Sequence, residues 1–274
     1  MSGFEKDASG NCVEAKVVGV GWDTSVDEGV SHVEPSLTVQ EVGQLIGANF
    51  LSRIPEPFSL RDAYLTFLQG ADPVCPNRQG NSFGHQDCMS ESGHHFYGLA
   101  FYGDGTDVWG EEGYHCEMQA SFELTNPNGE TFIAGGGFGY EGIRAGEDGT
   151  SWMAFIQGTF SFPGANGWLK EGATAGLAVY GSHQGSDWEM EMLGGVGDDA
   201  YYLYFEDVTV TSGSCGHHSG SIGLRDPNGG WYWWVKSDQC EECGDLYFNE
   251  QSLGSLCLDI SDQFQTYADS MRVP

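Results

Sequence analysis

The stretch Cys116-Glu-Met-Gln-Ala-Ser-Phe-Glu-Leu124 decides the fold. Its residues Cys116, Met118, Ala120, Phe122 and Leu124 alternate with Glu117, Gln119, Ser121 and Glu123. A period of two puts one set on each face of a strand, so the segment reads as half-buried, as in an antiparallel sheet.

Outward from this strand the pattern recurs. The turn signal Asn126-Pro-Asn-Gly129 leads into a strand from Thr131 to Tyr140, and Ser151 to Phe162 follows with Trp152, Ala154, Ile156, Phe160 and Phe162. Further strands are expected from Thr174 to Tyr180, Trp188 to Leu193 and Tyr201 to Thr211. A second hairpin joins Ser221–Leu224 to Trp231–Val235 around Asp226-Pro-Asn-Gly229, by the same turn chemistry as the first. About ten strands with short connections predict an antiparallel β-sandwich or a large antiparallel barrel. No helical pattern interrupts them, which removes the doubly wound α/β folds.

Before the strands the period is helical. Thr38-Val-Gln-Glu41 is a capping box followed by Val42, Leu45, Ile46 and Phe50, and Ser59 with Asp62 opens a second run through Leu60, Tyr64, Phe67 and Leu68. The organisation expected is an N-terminal strand (Val13 to Val20) and two-helix hairpin in residues 1–72, packed on the sheet. A Cys/His loop in 73–95, an antiparallel β-domain in 96–258 and a C-terminal tail in 259–274 complete it.

Forty Asp and Glu against ten Lys and Arg leave the 274 residues with a formal charge of −30. Such a surface repels phosphate backbones and anionic lipids, so nucleic acid and membrane are excluded as partners. No run of apolar residues is long enough to span a bilayer. The first twenty residues lack a basic region followed by an apolar one, so no secretion signal is visible. Neutral glycans, protein surfaces, further copies of the chain and divalent cations remain as partners.

Eight cysteines, an even set, point to an oxidising compartment and an extracellular or cell-surface location. Cys75 and Cys88 read as a staple across a loop. Cys215 with Cys257 and Cys240 with Cys243 are the expected bridges of the C-terminal group, and Cys12 and Cys116 are left to pair. The rival reading is a metal: Cys215 and His217, two apart on a strand, together with Cys240 and Cys243 make a tetrahedral set suited to Zn. Three converging histidines among His94, His95, His115, His217 and His218 would hold Zn or Cu. For Ca, Asp104-Gly-Thr-Asp107 fails the EF-hand pattern because His115 stands at its twelfth position. Gly194 to Tyr201 fits the first eight positions of a calcium-binding nonapeptide and Gly136 to Glu141 fits it loosely, but the two stand far apart instead of in tandem.

Signatures of catalysis are sparse. Gly137-Phe-Gly-Tyr-Glu-Gly142 spells GxGxxG without a helix pattern after it, and GxSxG, HExxH and Walker A motifs are missing. The ligand-binding candidate is Trp231-Tyr-Trp-Trp234: Trp231 and Trp233 share one face, Tyr232 and Trp234 the other, with one pair for the core and one for a ligand. The chain therefore reads as a non-enzymatic, acidic, glycine-rich, disulfide-stabilised structural, adhesive or binding protein, with no cofactor required. The alternatives are a secreted barrel-type enzyme or small-molecule (glycan) binder, and a Zn- or Cu-binding protein.

Overall fold

The computed structural model describes residues 4–6, 12–14, 33–47, 56–108, 110–145, 149–161, 173–197, 202–212, 218–236, 243–258 and 260–272. The chain divides into two compact units, Met1–Glu34 and Pro35–Pro274. In the first, β1 (Phe4–Lys6) and β2 (Cys12–Glu14) form an antiparallel pair. The strand expected from Val13 to Val20 covers only the end of β2, and residues 15–20 lie outside the described residues.

Among the described residues the second unit holds one thirteen-stranded antiparallel sheet in which spatial order equals chain order. It runs through β3 (Asn77–Gln79), β4 (Ser82–Met89), β5 (His95–Val108), β6 (Glu111–Thr125), β7 (Thr131–Ala145) and β8 (Gly149–Ser161). It continues through β9 (Ala173–Gln184), β10 (Asp187–Gly197), β11 (Tyr202–Thr211), β12 (His218–Arg225), β13 (Trp231–Lys236), β14 (Cys243–Phe248) and β15 (Gln251–Cys257). Among the described residues three helices accompany it: α1 (Val39–Gly47), α2 (Pro57–Leu68) and α3 (Ser261–Ser270).

The expected sandwich or closed barrel gives way to an open sheet ending at β3 and β15. The reason lies in the pairing. A sandwich needs strands to change layers, whereas here each strand hydrogen-bonds to its sequence neighbour, with unbroken register along pairs such as β6–β7 and β7–β8; a barrel would in addition need β3 to pair with β15, and it does not. Helices take the place of a second sheet over the apolar face.

Two helices form where the sequence puts them, but they do not show the expected hairpin. α2 packs over β6, β7 and β8, whereas α1 packs beside β15. In α1 the capping box is complete: Thr38 N–H and its hydroxyl donate to Glu41 Oε2 at 2.7 and 2.8 Å, and Glu41 N–H donates to Thr38 Oγ1 at 3.3 Å. α2 begins at Pro57, with Glu56 as its N-cap, two residues before the expected Ser59. Proline at the first helical turn loses no hydrogen bond there.

The core lies between these helices and the inward face of the sheet. Tyr64 of α2 stacks on Phe122 with centroids 5.4 Å apart, and Phe67 meets Phe132 at 6.0 Å. Helix α3 replaces the expected C-terminal tail, because Phe264, Tyr267, Ala268 and Met271 recur at helical spacing and are buried. It is tied to the sheet by Tyr140 Oη donating to Met271 O (2.6 Å) and Trp188 Nε1 donating to Gln265 Oε1 (2.6 Å). Gln263 Nε2 donates to Gly47 O at 2.6 Å and links α3 to the end of α1.

Two glycines set how closely the central strands approach. Gly136 and Gly158 face each other across β7 and β8 at positive φ (152° and 119°), and a Cβ on either would collide with the carbonyl oxygen of Gln157 or Gly135. Only glycine fits both the dihedral and the space.

Candidate functional site: the outward aromatic face

The Asp226-Pro-Asn-Gly229 turn launches β13 with its side chains in fixed alternation. Asn228 N–H donates to Asp226 Oδ1 at 2.7 Å, and Gly229, at φ 96°, donates its N–H to Asp226 O at 3.0 Å. The first turn repeats this with Asn126, whose Oδ1 accepts from Asn128 N–H at 3.0 Å. The two turns differ in burial, since Asp226 is only 1% exposed. Its Oδ2 accepts from Tyr232 Oη (2.7 Å), Ser36 Oγ (2.7 Å) and Ser36 N–H (2.9 Å). Burial alone pushes this carboxyl up, but the hydrogen bonds from Tyr232, Ser36 and Asn228 outweigh it and hold it below its ordinary range.

The aromatic quartet splits as alternation requires. Tyr232 (0% exposed) and Trp234 (2%) point into the core, where Trp234 Nε1 donates to Leu256 O at 2.9 Å. They are therefore core residues rather than ligand contacts. Trp231 and Trp233 point outward, half-buried, with rings 5.7 Å apart and tilted by 27°. Both indoles lie across Gly223 on β12, where an added Cβ would come within 3.0 Å of Trp233 and 3.2 Å of Trp231.

Three tyrosines extend the surface beyond what the sequence reading named. Tyr202 and Tyr204 of β11 present their rings near-perpendicular to Trp231, at 6.1 and 6.4 Å, and Tyr204 also meets Trp233 at 6.2 Å. Tyr247 of β14 stands opposite Trp233. Tyr202 lies over Gly195 of β10, whose added Cβ would strike the phenol. Glycine floors thus let large rings lie down on the neighbouring strand instead of standing off it. Their signal in the sequence is the alternation of Tyr202 with Tyr204 and the glycine at 223, but the register that joins them is not local.

The cysteines resolve differently from the expected pairing. Cys75 and Cys88 are bonded as expected, but the segment between them is not a loop: it holds β3 and most of β4, with Cys88 on β4. Cys243 bonds to Cys257, its direct cross-strand partner on β15, rather than to Cys240, and so pins the outer strands behind Tyr247. Register decides this, because strand pairing brings two distant cysteines together where CxxC spacing only places them near in sequence. Cys243 in a disulfide is no longer a thiolate for the expected Zn set, and Cys215, His217 and Cys240 lie outside the described residues. Cys116 is a free, buried thiol, which burial pushes up to about 12, so it is not bridged to Cys12. The side chain of Cys12 lies outside the described residues.

Among the described residues the candidate histidines are dispersed, and His217 and the side chain of His218 lie outside those residues. His95 stands opposite Thr125 and His115 opposite Gly105, ten positions apart along β5, which at about 3.4 Å per residue puts them far beyond a shared ion. His94 pairs with Ser92 at 2.8 Å and His95 with Asp87 at 2.8 Å. Among the described residues no group of three or more His, Cys, Asp or Glu side chains is placed to hold a metal. Asp104 instead accepts from Tyr102 Oη at 3.0 Å, and Asp107 Oδ1 accepts from Gly110 N–H at 2.9 Å. The GxGxxG stretch is continuous strand within β7, without the helix N-terminus that a dinucleotide phosphate needs. Among the described residues, no helix is long and apolar enough to cross a membrane.

No protein-family model, curated protein or solved structure matches this chain.

Proposed function

We propose that the chain is a non-enzymatic extracellular or cell-surface binding protein whose outward aromatic face takes a neutral glycan. The observation that carries this reading is the pair Trp231 and Trp233, half-exposed side by side over Gly223 and flanked by Tyr202, Tyr204 and Tyr247. A pyranose ring offers a C–H face that is apolar and weakly positive, the complement of an electron-rich indole face; the phenols of Tyr204 and Tyr247 supply polar contacts, while Tyr202, its hydroxyl buried, contributes only its ring. The charge of −30 selects against sulfated and uronate sugars and leaves neutral ones. The bridges Cys75–Cys88 and Cys243–Cys257 suit an oxidising exterior.

The test is retention on a panel of insoluble neutral polysaccharides, with sizing of each variant to separate binding from assembly. Trp231→Ala and Trp233→Ala are expected to lose retention while staying folded. Retention by both variants at the level of the unaltered protein removes the platform.

A further inference from the structure

The register of the sheet aligns one outward residue from every strand into a single cross-strand row. On β3 to β6 it consists of Gln79, Ser82, Phe101 and Gln119. Across β7 to β10 it continues as Gly137, Gln157, Gly176 and Gly195. From β11 to β15 it passes through Tyr204, Gly223, Trp233, Tyr247 and Ser252. No member is charged, in a chain with 50 charged side chains, 40 acidic plus 10 basic. The next outward row on one side, Gly84, Leu99, Ser121, Gly135 and Thr159 on β4 to β8, is uncharged as well.

Carboxylates return immediately beyond this band. Glu117, Glu141 and Glu191 stand in the outward rows to one side, and Glu123 to the other. The band therefore combines aromatic rings (Phe101, Tyr204, Trp233, Tyr247) with amides (Gln119, Gln157) and hydroxyls (Ser82, Ser252), bordered by negative charge. These are the groups that stack on sugar rings and hydrogen-bond their hydroxyls without demanding a counter-charge. Strands about 4.8 Å apart give thirteen positions a contour of roughly 58 Å, and that spacing is close to the rise of one unit in an extended β-linked pyranose chain.

From this alignment we infer that the ligand is an extended, neutral, linear polysaccharide that runs across the strands along the whole row. The inference rests on the glycan reading above and adds the length and direction of the ligand. The Phe101–Gln119–Gln157 half becomes part of the site, although it lies far from the indoles. Gln157 is exposed on β8, five strands from Trp233 and about 24 Å away at the inter-strand spacing.

The probes are soluble oligomers of cellulose and chitin, from the disaccharide to long chains, with the insoluble parent polymers. For at least one series, affinity is expected to rise with chain length well beyond what Trp231 and Trp233 alone can cover. Gln157→Glu places a carboxylate under the middle of the ligand. It is expected to weaken long oligomers and polymer about tenfold or more, because a desolvated unpaired charge is costly, and to leave the shortest binding oligomer unchanged. A melting curve equal to that of the unaltered protein confirms that Gln157→Glu folds.

Affinity that plateaus at the shortest oligomers, or identical long-chain binding by Gln157→Glu, overturns the extended site and leaves the local aromatic platform standing. Failure of the unaltered protein to bind any neutral glycan, or sizing that shows copies of the chain stacked on this face, removes both readings together.

Discussion

Ser36 and Asp226, 190 positions apart, are joined by two hydrogen bonds to one carboxylate oxygen, from the Ser36 backbone N–H (2.9 Å) and hydroxyl (2.7 Å). Tyr232 donates to the same oxygen and accepts Leu37 N–H at 2.8 Å, so one buried acid fastens the segment that leads into α1. The same acid, through Asn228, also holds the turn that presents Trp231. Scaffold and candidate site therefore share an anchor.

Removing that anchor is expected to destabilise the chain. Tyr232→Phe leaves Leu37 N–H and Asp226 Oδ2 short of a partner, at a cost of ~1–3 kcal/mol for an unsatisfied buried polar group. Urea unfolding measures it, and an unchanged midpoint would show that water replaces the phenol freely.

Acid should weaken the fold in two stages. His183 is buried and held below its ordinary value, first by burial and then by the Arg272 cation, with Trp152 Nε1 donating to its Nδ1 at 3.2 Å. A depressed value means that the unfolded chain takes up the proton first, so stability is complete above the ordinary imidazole value of about 6.5 and is lost as pH falls below it. Asp226, also depressed, adds stability above the ordinary carboxylate value of about 3.9 that is lost as pH falls through its lower folded value. Melting temperature followed from neutrality to about pH 5 should drop less in His183→Gln than in the unaltered protein; parallel curves would contradict the assignment.

The two faces of β13 should respond oppositely to truncation. Trp234→Ala empties a core position and is expected to cost ~3–5 kcal/mol, whereas Trp233→Ala, half-buried over Gly223, should cost far less. Paired denaturation curves check this, and equal losses would place Trp233 in the core.

Mass spectrometry with and without reductant reports the bridges. With Cys116 free and Cys75, Cys88, Cys243 and Cys257 bonded, 8 − 1 − 4 = 3 cysteines remain, enough for one more bridge at most. The deficit is therefore expected to lie between about four and six hydrogens, two for each bridge. A deficit of eight would mean that Cys116 is bonded. Cys257→Ser should cost ~2–4 kcal/mol in the oxidised protein, as expected for closing a loop of this size.

Much of the sheet was legible in the sequence because its signal is local. Alternation placed β6, β8, β10, β11 and β13, and the two Pro-Asn-Gly turns fixed their hairpins. Closure was not legible, since whether β3 and β15 meet depends on the sum of strand twists and on the helices covering the apolar face. The pairing of Cys243 with Cys257 and the approach of Tyr204 to Trp233 are likewise products of register, which alternation does not number across strands. Helix α3 did carry a signal, Phe264, Tyr267, Ala268 and Met271 behind Ser261, in a segment whose many polar residues read as a tail.

Glycan binding by the outward aromatic face is tested most directly by calorimetric titration of a neutral polysaccharide into the unaltered protein and into the Trp231→Ala/Trp233→Ala double variant, with Tyr180→Ala, another exposed outward aromatic, as the control. The predicted result is saturable binding to the unaltered protein and to the control, and its loss in the double variant. Undiminished binding by the double variant would contradict the account.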